Sequence, residues 1–184
     1  MNKVIIPWER YALIAEIAYR FKNMSRTLGK TALQKIVFLL QSLFDINMKY
    51  DFSIYIYGPF CSDLFRDLDY VEALEGVNVI FNPTFSGYEI IPGSKNESIR
   101  EKGRNFLDII TDKLEECLHD FGEFQAKELE LISTIIYCAQ EGRKEKRTQK
   151  DIASLVHEIK PHFTYEVIAR TIDWLEKKGY LSVP

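Results

Sequence analysis

Three histidines (His119, His157, His162) and three cysteines (Cys61, Cys117, Cys138) are the residues of this 184-residue chain with the widest chemical range. Neither set has zinc-ligand spacing, within itself or with the other. Cys117 and His119 stand two apart on an expected helix, so they point in different directions. His162, beside Pro161, reads as a turn or capping residue. There is no glycine-rich phosphate loop, no Gly-x-Ser-x-Gly elbow and no His-Glu-x-x-His. Carboxylates are numerous, but none pairs with another in an apolar setting that would tune an acid and a base. The expectation is a chain that is not an enzyme and carries no cofactor and no metal. A hydrolase or nuclease built on Cys61 and a distant histidine is the residual catalytic reading.

Charge carries more information. Lys and Arg total 24 against 27 Asp and Glu, a formal charge of −3. A chain built to coat phosphate is usually strongly basic. The helix expected over Ser62–Glu75 holds Asp63, Asp67, Asp69, Glu72 and Glu75 against a single Arg66. Carboxylates in that number are repelled by the two phosphate rows of a major groove. An acidic helix suits a basic protein partner, or is a solvated face. The densest basic run is Arg143, Lys144, Lys146 and Arg147, with Lys150 nearby. Joined by Arg170, Lys177 and Lys178, it would make a patch for nucleic acid or an acidic protein; a solvated loop explains it equally well.

These groups need elements to hold them. Trp8–Lys22 has Leu13, Ile17 and Phe21 four apart, and Lys30–Phe44 has Leu33, Ile36, Val37, Leu40 and Leu43 at helical spacing. Gln34 and Lys35 face away from that stripe as read from spacing, which would free them for specific contacts; the alternative is an ordinary core helix. Phe52–Tyr57 reads as a strand, stopped by Gly58-Pro59, with Ser62 as the cap of the next helix. Tyr57 and Phe60 either plug the core or present aromatic rings to a partner. Val77–Phe81 and Tyr88–Ile91 read as a hairpin.

Pro92-Gly93 then opens one long helix, Asn96–Asp120, expected to connect two lobes. Lys127–Gln140 is apolar nearly all round, as in a buried helix. Thr148 is placed to cap Gln149–Ile159, and Thr164 the last helix, which Lys177-Lys178-Gly179 ends. The order predicts a mainly α fold with a small β-wing. A winged helix-turn-helix-like lobe (1–93) leads through the connecting helix (94–122) to a second helix-turn-helix-like lobe (123–184).

Lys30-Thr31-Ala32-Leu33-Gln34-Lys35-Ile36-Val37-Phe38-Leu39 together with Tyr57-Gly58-Pro59-Phe60-Cys61-Ser62-Asp63-Leu64 resembles the paired blocks of the YwgA family of uncharacterised bacterial and archaeal proteins. The resemblance extends over most of the chain and includes Lys160-Pro161-His162-Phe163 as the turn between the last two helices. Cys61 stands where that pattern has a serine. Residues 10–75 more loosely resemble the SocA-like Panacea domain of antitoxins and a proteolytic adaptor.

Function is expected to be non-catalytic: a protein-interaction or regulatory module of antitoxin or adaptor type, holding an unidentified protein through Tyr57, Phe60, Asp63, Arg66 and Asp67. The alternative is a DNA-binding regulator using Arg143, Lys144, Lys146, Arg147, Lys150 and Arg170. A homodimer is compatible with both. No apolar run approaches a membrane span and no signal-peptide pattern opens the chain. Scattered free cysteines fit a reducing cytoplasm.

Overall fold

The computed structural model describes residues 6–84, 86–142 and 147–182. It is mainly helical, with two small antiparallel sheets of two strands each. The chain divides into two compact units. Residues up to Asp51 together with Cys61–Glu123 form the first; Phe52–Phe60 with the residues from Phe124 onward form the second. The stretch 94–122, expected to connect lobes, is part of the first.

In the first unit α1 (Trp8–Asn23) and α2 (Lys30–Leu43) match their periodicity. α1 packs against α3 (Ser62–Ala73), and β3 (Val77–Asn82) pairs with β4 (Gly87–Pro92) in a register running from Val77↔Pro92 to Asn82↔Gly87. Leu13, Ile17, Leu33, Ile36, Leu40, Leu64, Leu68 and Val71 are all buried there. Sequence patterning missed one pairing. The link between α1 and α2 runs beside β4: Ile90 N–H donates to Leu28 O at 2.8 Å, and Gly29 bridges Glu89.

The expected long helix is broken. α4 (Asn96–Lys102) and α5 (Arg104–Phe121) meet at Gly103. A Cβ there would stand 2.4 Å from the Ala12 Cβ and 3.1 Å from Trp8 O, so only a glycine lets the backbone lie this close to α1. Buried Asn96 reinforces the contact, donating from Nδ2 to Ala15 O at 3.0 Å and Gly76 O at 2.8 Å. Arg100 Nε donates to Glu16 on α1 at 2.5 Å.

The second unit contains α6 (Ala126–Gly142), α7 (Gln149–Ile159) and α8 (Tyr165–Lys177). Thr148 caps α7 by accepting from Asp151 N–H, while Asp151 accepts from Thr148 N–H in return; that exchange lowers the Asp151 pKa. Thr164 caps α8. Leu129, Ile132, Ile136, Ile152, Val156, Ile168 and Ile172 form the core.

The run expected as one strand is a hairpin, β1 (Ser53–Tyr55) and β2 (Gly58–Phe60), with Ile56-Tyr57 at its apex. Gly58, at φ +84°, takes the positive-φ conformation that glycine adopts without a Cβ penalty where the two-residue turn rejoins the ladder. Pro59 continues the ladder opposite Ile54. A two-stranded ladder leaves alternate N–H groups facing outward, so proline does not stop it.

Replacing Gly103 with alanine forces apart the tightest backbone contact between α1 and the α4–α5 junction. Urea unfolding should register a loss of about 1–3 kcal/mol, and a midpoint equal to the parent's would contradict the contact.

Candidate functional site

The two blocks that resemble a family pattern meet in the first unit. Gln34 does not face outward. It is buried, and its amide spans the Cys61 backbone: Nε2 donates to Cys61 O at 3.0 Å, and Oε1 accepts from Cys61 N–H at 2.9 Å. The side chain thus imitates a strand partner for the residue that begins α3. Cys61, not Ser62, is the N-cap residue, and no side chain caps this helix. Lys35 is buried as well.

Asp67 is also buried. Tyr50 Oη donates to Asp67 Oδ2 at 2.7 Å, and Arg10 Nη1 lies 3.6 Å from the same oxygen. Arg10 donates to Met48 O and Lys49 O, each at 2.8 Å, and stacks over the Tyr50 ring at 4.3 Å. Burial first, then the Asp67 hydrogen bond, raises the Tyr50 pKa far above that of a free phenol. Asp67 is thus buried and fastens α3 to the segment before it, rather than standing at the surface as expected.

The helix expected to reach Glu75 ends at Ala73, and two carboxylates of that stretch are engaged within their own unit. Glu72 Oε1 accepts from Val79 N–H at 2.9 Å. Glu75 binds Lys95 at 2.6 Å and Ser94 at 2.7 Å, and these contacts lower its pKa. Asp63 and Arg66 stay at the surface as a mutual ion pair.

In the second unit the decisive residue is Lys160, absent from the expected site. It follows α7 and is buried. Its ammonium donates to Tyr55 O at 3.0 Å and to Ile56 O, and pairs with buried Glu130 on α6 at 3.0 Å. His162 Nε2 lies 3.6 Å from the same carboxylate oxygen. One buried cation thus holds the hairpin apex, and β2 packs on α6. Against this anchored backbone, Tyr55, Ile56 and Tyr57 are 62%, 64% and 62% exposed. Phe60 is half-buried, its ring 5.8 Å from that of Tyr55. Tyr57 and Phe60 therefore belong to the second unit, Asp63 and Arg66 to the first.

Of the basic candidates, Arg143, Lys144 and Lys146 lie outside the described residues. Arg147 is half-buried and Lys150 exposed in the first turn of α7. Arg170 Nη2 is 3.6 Å from Glu166 and borders an apolar cleft between α6 and α8. The cysteines are buried; burial drives the Cys117 pKa well above its ordinary value and that of Cys138 up to about 11. Among the described residues no group of three or more His, Cys, Asp and Glu side chains is arranged to hold a metal. Nor is any of their helices long and apolar enough to cross a membrane.

No family model matches the chain, and neither a curated protein nor a solved structure is significantly similar to it.

Two expectations follow. Lys160→Met leaves Glu130 buried without its cation and should cost about 3–5 kcal/mol. Adding Glu130→Leu should recover most of it, and strictly additive losses in a double-mutant cycle would deny the pairing. For Tyr50, a raised folded pKa means that its contribution is complete below the free-phenol value of 10.0 and declines as pH rises above it. Above pH 10 the parent should lose stability more steeply than Tyr50→Phe, by about 1.4 kcal/mol per pH unit. Parallel curves would show that Tyr50 ionises as readily folded as unfolded.

Proposed function

We propose that this protein is a non-catalytic interaction module, of antitoxin or adaptor type, that grips a partner protein through the β1–β2 hairpin. The observation that carries this reading is the exposure of Tyr55, Ile56 and Tyr57 on a backbone tied down by buried Lys160. Large apolar side chains on a preorganised turn lose little freedom when they enter a partner's pockets, and interface energy concentrates in such anchors. Tyr57 and Phe60 keep the role expected of them, and Tyr55 and Ile56 join them. The exposed Asp63–Arg66 pair suits orientation more than affinity.

A winged-helix ancestry for the first unit fits the same reading. Its order is helix, short pairing segment, helix, helix, hairpin, with Leu28-Gly29 bridged to β4 beside the wing. The β1–β2 hairpin then interrupts that plan between α2 and α3, as an added recognition element. The resemblance to the YwgA family and to the Panacea domain is in keeping with this reading, since the Tyr57–Leu64 block begins within this hairpin. In place of a major-groove reading head, α3 carries Asp63, Asp67, Asp69 and Glu72 beside a single Arg66.

Affinity capture from the native host tests the reading. Tyr55→Ser combined with Ile56→Ser and Tyr57→Ser should abolish recovery of the specific partner while the thermal midpoint stays near the parent's. Asp63→Asn with Arg66→Gln should weaken capture no more than about tenfold. Identical partners recovered by the parent and the hairpin triple variant would refute the hairpin as the grip.

A further inference from the structure

The second unit contains a cleft of about 550 Å³, within the range of about 300–1,000 Å³ typical of small-molecule sites. Phe124, Leu131, Phe163 and Trp174 make its apolar walls, with the Phe124 and Trp174 rings edge-to-face at 5.4 Å. Lys127 and Arg170 border it from α6 and α8. Their charges are only lightly compensated. Lys127 Nζ sits 5.7 Å above the Phe163 ring. Arg170 faces Glu166 at 3.6 Å, and both side chains are mostly exposed, an arrangement that binds weakly. The one carboxylate in the lining, Glu128, accepts from Gln125 N–H at 2.8 Å as part of the α6 entry turn. Thr164 and Val167, in the opening turn of α8, complete the mouth beside His162.

We propose that this cleft binds a small apolar carboxylate, with its ring or chain between Trp174, Phe163 and Leu131 and its carboxylate on Lys127 and Arg170. Apolar area supplies affinity for the body of such a ligand, and the two cations select the anion over a neutral analogue of the same shape. The proposal is independent of the hairpin's role: it involves none of Tyr55, Ile56 or Tyr57, and either reading can fail without the other.

The test uses 4-phenylbutyrate and its neutral counterpart 4-phenyl-1-butanol. In full-length Trp8→Phe protein, Trp174 is the sole tryptophan and reports directly on the cleft. Calorimetry on the unmodified chain gives the same constants if that variant folds poorly. The carboxylate should shift Trp174 emission saturably and bind at least about tenfold more tightly than the alcohol. Lys127→Gln with Arg170→Gln should erase that preference, and Val167→Phe, which fills the cleft, should abolish binding of both. Equal binding of acid and alcohol, no saturation by the acid, or constants unchanged in the paired variant would each overturn the assignment. An acidic phenylalanine-containing peptide that saturates the cleft where phenylbutyrate does not would also overturn it, and would make the cleft a protein groove.

Discussion

An ammonium taken out of bulk solvent must find oxygen within the protein, and the second unit is organised around how buried Lys160 does so. Glu130 supplies the counter-charge, and the carbonyls of Tyr55 and Ile56 supply neutral acceptors. Isolated charges are costly in a protein interior, so the cation tolerates few arrangements other than this one. The hairpin apex is therefore specified by electrostatics; its outward side chains are released from packing duty. A surface loop is ordinarily mobile because little holds its backbone. Here the backbone is held from within and only the side chains face water.

Much of the helical framework is readable from apolar spacing. α1, α2, α7 and α8 begin and end within a residue of their periodic stripes, and the threonine caps at 148 and 164 bond as their positions imply. Local rules suffice there because the cause lies within one turn of helix. They fail where the cause is remote. Gln34 and Lys35 look like outward polar residues, yet the acceptor and donor that bury Gln34 are backbone groups 27 residues away. A sequence displays side-chain types; it does not display which backbone groups lack partners. Asp67 misleads for the same reason, since its carboxylate answers a tyrosine 17 positions earlier and Arg10 on another helix. Gly103 sits inside a strong helical stripe, and only the proximity of Ala12 explains the break.

The candidate site was partly visible. Tyr57 and Phe60 stand out as aromatics beside a Gly-Pro turn, but the reading of that turn as the end of a strand hid the hairpin and so missed Tyr55 and Ile56. Lys160 gave a weak signal: it directly precedes Pro161 in a block that resembles a family turn. Nothing local says that it is buried, because lysine is ordinarily a surface residue. Two polar side chains far apart in sequence act alike in this fold. Gln34 binds the backbone of Cys61, and Lys160 binds the backbone of Tyr55 and Ile56. Both fix main chain on either side of Gly58-Pro59.

The second unit is discontinuous: nine residues, Phe52–Phe60, are contributed from between two stretches of the first. During synthesis this hairpin leaves the ribosome about a hundred residues ahead of the lysine that will seat it, and at about 5–20 residues per second it waits several seconds. For that interval the carbonyls of Tyr55 and Ile56 lack the ammonium that will hold them, and the apex has only its own two-stranded ladder to fix it. Excision of the C-terminal helices as an independent fragment would leave the Lys160–Glu130 pair buried without the main-chain acceptors of Tyr55 and Ile56, so an autonomous piece containing that lobe must include Phe52–Phe60.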